Sequence, residues 1–263
     1  MAARTVGLLH PGEMGATVGA VLRGLGHQVV WASAGRSDDT RRRAEAAGLE
    51  DAGSISELVR RSDVILSVCP PHAVLEVAGS AAGFDGIFVD ANAVAPATAR
   101  EVAAVVEAGG GDCVDGGIVG PPPREAGTTR LYLSGPAAAN VTDLFAGSAL
   151  DARVVSNEVG SASAVKMAYA AWTKGTAALL LAIGEFARAE GVEQALLEEW
   201  RLSLPELPNR SENAARSARA KAWRWVGEME EIAAAFAAAG LPEGFHSAAA
   251  EMFRSVAAEP QRK

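Results

Sequence analysis

The sequence predicts a doubly wound α/β domain, built on a largely parallel sheet, followed by an all-α C-terminal domain. Three observations carry that prediction. Apolar runs of strand length alternate with helix-like segments through residues 1–158. A glycine loop closes the first run and opens the first helix. From residue 159 to 263 the pattern turns almost wholly helical. Strands joined through helices need crossovers, which are right-handed and cover both faces of a parallel sheet. The expected domains are therefore 1–158 and 159–263.

"TVGLL" (5–9) reads as a buried strand, and "GATVGAVLRGLG" (15–26) as a helix that opens at the glycine loop and closes at Gly26. "HQVVWAS" is the next strand, and "SDDTRRRAEAAG" a short helix with a capping Ser or Asp in front and Gly48 behind. "SISELVRRS" sets Glu57 three residues after Ser54, the spacing of a capping box. "DVILSVCP" is an apolar strand halted by Pro70 and Pro71. "GIFVDAN" follows, and "PATAREVAAVVEAG" is a helix with Pro96 near its first turn and glycine at its end. "GDCVDGGIVG" and "TRLYLSG" are two further strands. From Gly160 to Glu190 the pattern is helical throughout, spanning roughly 45 Å at 1.5 Å per residue. "LSLPELPNR" reads as a loop, Ser211–Ala239 as a second long helix stopped by Gly240 and Pro242, and "EPQRK" as a frayed tail.

Bulk properties narrow the function. The chain has 263 residues, 49% hydrophobic and 21% charged, as an ordinary globular protein does. A net charge of -8 argues against nucleic acid, whose phosphates it would repel, and the short cluster Arg41–Arg43 does not reverse this. Cys69 and Cys113 make neither a disulfide framework nor a metal site. No signal peptide is legible, and the best apolar stretch, "AALLLAIG", falls far below the roughly 18 residues of a membrane span. A cytoplasmic protein without a membrane partner is expected.

"VGLLHPGEMG" raises the functional question. A dinucleotide-binding Rossmann domain needs a tight turn after its first strand, backbone close to the pyrophosphate and a helix N-terminus aimed at it. Gly12 and Gly15 occupy the second and third positions of the G-x-G-x-x-G pattern, whereas His10 stands at the first and is followed by Pro11 with its fixed φ. Strand before, helix after and the start of an alternating domain support a phosphate cradle. His10 is expected to pack or hydrogen-bond there rather than transfer protons. An NAD site places an acid at the end of the second strand. Here that strand ends in Ala32 and Ser33, and Arg36 and Ser37 follow, with Thr40 and Arg41 a turn later. A guanidinium and a hydroxyl suit a 2′-phosphate, which favours NADP(H) over NAD(H).

"LLHPGEMG", "DVILSVCPP", "VDANAVAP", "DGGIVGPPP" and "GSASAVKMAY" follow one another in the order found in the β-hydroxyacid dehydrogenase superfamily, the group of 6-phosphogluconate and 3-hydroxyisobutyrate dehydrogenases, which the chain resembles. "KAWRWVGEMEEIAAAFAAAGLP" resembles the small helical C-terminal domain of a phosphogluconate-dehydrogenase-like subgroup. The resemblance implies that His10, Pro11, Gly12, Glu13, Met14 and Gly15 hold the pyrophosphate, through the amides of Gly12–Gly15. It implies that Cys69, Pro70 and Pro71 line the adenine and ribose side, and that Asn92 and Ala93 lie near the nicotinamide ribose. Lys166 matches the family's general acid/base lysine. Hydride transfer to a carbonyl leaves an alkoxide, so a proton donor must lie within hydrogen-bond reach.

The chain also departs from the family. Val119 stands at the serine that anchors a substrate carboxylate, Gly120 is kept and prolines follow, and Ala170 replaces the asparagine that holds the substrate hydroxyl. Lys174, two turns beyond Lys166, either binds an anionic substrate group or stands exposed at a bend near Gly175. Arg224 and Glu228 read as an i,i+4 surface pair, and Trp223 and Trp225 as core or dimer packing, with a substrate wall as the alternative. The expectation is an NADP(H)-dependent oxidoreductase on a small carbonyl or hydroxy-acid substrate, working as a homodimer with its site in the cleft between domains. An imine reductase on the same scaffold and an inert cofactor-binding protein are the alternatives.

Overall fold

The computed structural model describes residues 3–258. The elements run β1 (Thr5–Leu9), α1 (Glu13–Gly24), β2 (Gln28–Trp31), α2 (Asp38–Ala46), β3 (Glu50–Asp51), α3 (Ile55–Arg61), β4 (Val64–Ser67), α4 (Val74–Ser80), β5 (Ile87–Asp90) and α5 (Pro96–Ala108). There follow β6 (Asp112–Val119), β7 (Thr129–Ser134), α6 (Ala138–Thr142), β8 (Leu150–Ser156), α7 (Ser161–Ala189), α8 (Glu193–Ser203), α9 (Leu207–Ala238) and α10 (Gly244–Ala258). The fraying expected of 259–263 lies outside the described residues.

One sheet has the order β3-β2-β1-β4-β5-β6-β7-β8. All neighbours are parallel except β6 and β7. Strand order reverses between β1 and β4, the crevice where doubly wound folds bind ligands. Alternation along the strands sends Leu8, Leu66 and Val89 to one apolar cluster with Val18 and Leu22 of α1. Their neighbours Leu9, Ile65 and Phe88 go to a second cluster with Leu58, Val77 and Val102 of α3, α4 and α5. The expected Rossmann sheet, covered on both faces and followed by helices, is the fold observed.

The capping box forms on one side only. Ser54 accepts from the Glu57 amide at 3.2 Å, but the Glu57 carboxylate turns to Arg60. α7 lies within one residue at each end of the stretch expected of it. The "LSLPELPNR" loop does not form as expected. α8 continues through Ser203 and α9 starts at Leu207, with Pro208 in the first turn, where a missing amide costs nothing. β3, α4, α6, β8, α8 and α10 have no individual counterpart among the expected elements.

The chain divides into two compact units, and the division falls inside α7, after Lys166; the expected boundary at 158/159 precedes that helix. In the second unit, Ala214, Ala218, Ala222, Met229, Ile232 and Ala233 form the buried stripe of α9. α10 packs on α9 through the edge-on pairs Trp225–Phe253 and Phe236–His246, with ring centroids 5.1 and 4.2 Å apart. Among the described residues, no helix is long and apolar enough to cross a membrane.

Candidate functional site

The loops after β1, β2, β4, β5 and β6 all leave the carboxyl ends of their strands. After β1, His10 adopts φ 66°, the left-handed turn that a glycine usually makes. Its carbonyl accepts from the Gly12 amide at 2.7 Å, and a Cβ at Gly15 would lie 2.7 Å from that same oxygen. Gly15 is thus required for the helix to approach the strand. A Cβ on Gly12 would meet nothing within 4 Å, so the turn lies open above the backbone. α1 has no side-chain cap. Among the described residues the amides of Glu13, Met14 and Gly15 have no acceptor outside the helix, as an anion-binding helix start requires. The residues present fit a dinucleotide pyrophosphate.

His10 is buried enough that its pKa falls to about 4, chiefly by desolvation and then by the Arg36 charge, and its Nδ1 has no hydrogen-bond partner among the described residues. Burial also lowers the Arg36 pKa, while Cys69 acts on it in the opposite direction. The end of β2 thus brings Arg36 beside the glycine loop and Cys69. Ser37 caps α2, accepting from the Thr40 amide at 3.3 Å. Arg43, part of the short basic cluster and not expected at the site, donates to the Pro11 carbonyl at 3.4 Å and to Thr40 at 3.1 Å, tying α2 to the loop. A basic residue in the helix that Ser37 caps was the available signal.

The loops after β4 and β5 are locked together by Asn92. Its Oδ1 accepts from the Cys69 amide at 2.5 Å, while its Nδ2 donates to Ser67 at 3.1 Å and to Asp90. The side chain is 3% exposed, so it holds the Cys69–Pro70–Pro71 loop in place. Ala93 beside it is half-buried. Desolvation dominates at Cys69, raising its thiol to about 12, and at Asp90, raising its carboxyl to about 7; the Asp90 Oδ2 has no hydrogen-bond partner among the described residues.

Asp90 pairs in register with Asp115 on β6. Asp115 Oδ2 accepts from Ser134 Oγ, Gly160 N and Ser163 N at 2.9, 2.9 and 3.0 Å, and its Oδ1 accepts from Ser163 Oγ at 2.6 Å. One buried carboxylate thus caps α7 and fixes its rotation against β6. Gly117 permits the close approach: a Cβ there would lie 2.9 Å from both the Ala162 carbonyl and the Lys166 Cβ. Lys166 then donates from Nζ to the Ile118 carbonyl at 2.6 Å, a part-buried bond. Val119 and Ala170 are 3% and 0% exposed. Gly120 takes φ 125°, and a Cβ on it would lie 2.4 Å from the Thr128 carbonyl, so glycine closes the base of the loop.

Lys174 belongs to the second unit. It is half-buried and forms an ion pair with the buried Glu228. Glu228 therefore does not serve as the surface partner expected for Arg224, because it faces α7. Trp225 packs against Phe253, whereas Trp223 is 66% exposed. Among the described residues, no group of three or more His, Cys, Asp or Glu is placed to hold a metal.

A sheet of order 3-2-1-4-5-6, with a glycine turn and an uncapped helix at its switch point, defines a dinucleotide-binding protein. The family model described as the NAD binding domain of 6-phosphogluconate dehydrogenase matches residues 5–150, and the chain belongs to that family, within the β-hydroxyacid dehydrogenase superfamily of NAD(P)-dependent oxidoreductases. A domain of unknown function, DUF1932, matches residues 187–256. An uncharacterised 28.5 kDa protein of Methanothermus fervidus is 30% identical over 62% of this chain and 63% of its own length, so the chain spans less than two thirds of that relative. A conserved protein of unknown function, described as structurally similar to 3-hydroxyacid dehydrogenases, superposes with a TM-score of 0.70 and 28% identity over 96% of both chains. The reductive aminase of Aspergillus terreus, solved with NADPH and ethyl levulinate, superposes at 0.60 and 19% identity over 97% of this chain and 93% of its own.

Proposed function

We propose that this chain is an NADP(H)-dependent oxidoreductase of small carbonyl or hydroxy-acid-type substrates, with Lys166 as general acid/base. The observation that carries the proposal is Lys166 itself, held through its Ile118 bond at the carboxyl end of β6. That edge of the sheet is where the glycine turn and the Asn92-braced loop also emerge.

When bound, the nicotinamide supplies or accepts the hydride. The chain's residues do the rest. The outward amides of Glu13–Gly15 hold the pyrophosphate, and Arg36 with Ser37 receives the 2′-phosphate. Asn92 keeps the Cys69–Pro71 loop and its own backbone, with Ala93, against the ribose side. In the reducing direction the Lys166 ammonium donates a proton to the substrate oxygen as charge develops there. In the oxidising direction its neutral amine takes that proton from the hydroxyl. Gly120 shapes the substrate loop. Lys174, already neutralised by Glu228, contributes through packing.

Calorimetric titration of NADPH and NADH into wild-type protein and Arg36→Ala tests the cofactor reading. NADPH should bind more tightly than NADH and lose about tenfold or more in the variant, the worth of a charge-assisted bond to phosphate, with NADH little changed. Equal binding of both nucleotides would contradict it.

A second reading, reduction of imines, is favoured by the buried Val119 and Ala170, where the family's polar contacts to a hydroxy acid are gone. The likeness to a reductive aminase points the same way. NADPH oxidation with a ketone that appears only on adding an amine would select this reading. Absence of turnover on either panel would select an inert cofactor-binding protein.

The homodimer reading rests on apolar surface in the second unit. Leu179, Phe186 and Phe245 are 59%, 66% and 81% exposed, and a cavity of about 650 Å³ opens between Leu179 and Phe245. A cytoplasmic location accords with the two free thiols.

A further inference from the structure

α7 and α9 border a second, open cavity, of about 290 Å³, lined wholly by residues of the second unit. Among the described residues its lining contains no carboxylate. Arg210, Asn213 and Ser217 reach it from one face of α9, at i, i+3 and i+7. The α7 side supplies Trp172 and Thr176, and Trp225 closes it.

Thr173 and Thr176 spend their hydroxyl protons on the Tyr169 and Trp172 carbonyls, which leaves Arg210, Asn213 and Ser217 as the polar donors of the α9 side. The Arg210 guanidinium lies 5.9 Å from the centre of the Trp172 ring. Among the described residues no carboxylate oxygen lies within ion-pair distance of it. Arg210 and Asn213 are both exposed at the mouth of the cavity. Asn213 Oδ1 already accepts from Arg216, which leaves its amide NH2 turned to other partners. Lys174, next to Thr173 on α7, is spent on Glu228. The walls are the 64% exposed Trp172, the half-buried Trp225 and the apolar Leu180. An unpaired planar cation with an amide and a hydroxyl suits a carboxylate, and two indoles suit a flat apolar body.

We infer that this cavity binds a small aromatic carboxylate, its acid group on Arg210 and its ring against Trp172 and Trp225. All of its groups lie in the second unit, so the inference does not rest on the nicotinamide reading. The volume lies at the small end of ligand pockets, which limits the body to about one ring.

Calorimetric titration of the full chain, without nucleotide, tests the inference, with phenylacetate as the probe and phenylacetamide and acetate as controls lacking the charge or the ring. Phenylacetate should bind about tenfold more tightly than either control. Arg210→Met should lower phenylacetate affinity about tenfold and leave phenylacetamide unchanged, while Trp172→Leu should weaken both. Arg210→Lys, which keeps charge but loses the planar fork, should fall between, and Lys166→Ala should bind as wild type does. The inference is overturned by phenylacetate binding no better than the controls, by binding that survives Arg210→Met, or by binding lost in Lys166→Ala.

Discussion

His10 stands where a dinucleotide fold usually has glycine, and it meets the demand by taking φ 66° itself. That solution carries a pH signature. The folded chain keeps the imidazole neutral down to about pH 4, whereas the unfolded chain takes up a proton near 6.5. Between those values the unfolded state binds more protons, so stability falls as pH falls. His10→Asn, which tolerates a left-handed backbone, should abolish this slope, about 1–2 kcal/mol after allowance for solvent screening, in urea unfolding at pH 4.5 and 7. Asp90 has the opposite sign. Its folded pKa of about 7 exceeds the unfolded 3.8, so its contribution is present at low pH and is lost as pH rises through 7. Asp90→Asn should therefore be at least as stable as wild type at pH 8 and should flatten the profile between about pH 4 and 7. A fall in stability at pH 8 would show that the ionised carboxylate is compensated. Lys166, Arg36 and the glycine loop were legible as candidates because motif order and strand ends mark them. The commitment of Lys174 was not, since Glu228 reaches it from a helix more than fifty residues away in sequence.

At the level of elements, α7 is oriented by β6. Asp115 supplies the acceptors for the start of the helix, and Gly117 supplies the space. Asp115→Ala would strand the buried donors Gly160 N, Ser163 N and Ser134 Oγ, a loss of roughly 3–5 kcal/mol that thermal unfolding should register. Asp115→Asn can keep most of the geometry and should cost less. Gly117→Val would force its side chain into the Ala162 carbonyl and Lys166, and should lower turnover far more than NADPH affinity. The charged residues within the apolar runs "IFVDAN" and "CVDGGIV" were the sequence signal for this buried network, because a carboxylate inside a strand needs partners. The first-domain strands were readable from apolar runs and their glycine and proline stops. The helices beyond Gly191 were harder. Pro208 has the look of a breaker but begins α9, and the short loop at Gly240 hides that His246, Ala249, Ala250 and Phe253 resume a buried helical stripe.

For the whole molecule, the two units carry different chemistry. The first contains the sheet edge, the glycine turn and Lys166; the second contains the Arg210 cavity and large exposed apolar side chains. Exposed Phe186 and Phe245 predict self-association, which sedimentation should show as a dimer at micromolar concentration and Phe245→Glu should weaken. The central claim is that this family member performs hydride-transfer chemistry with Lys166 as its proton donor. Its most direct test is NADPH oxidation over a carbonyl and carbonyl-plus-amine panel, comparing wild type with Lys166→Ala and measuring NADPH affinity in parallel. Turnover on at least one substrate is expected, with a loss of about 10²–10⁴ in kcat for the variant and unchanged NADPH binding. Full activity in Lys166→Ala would contradict it.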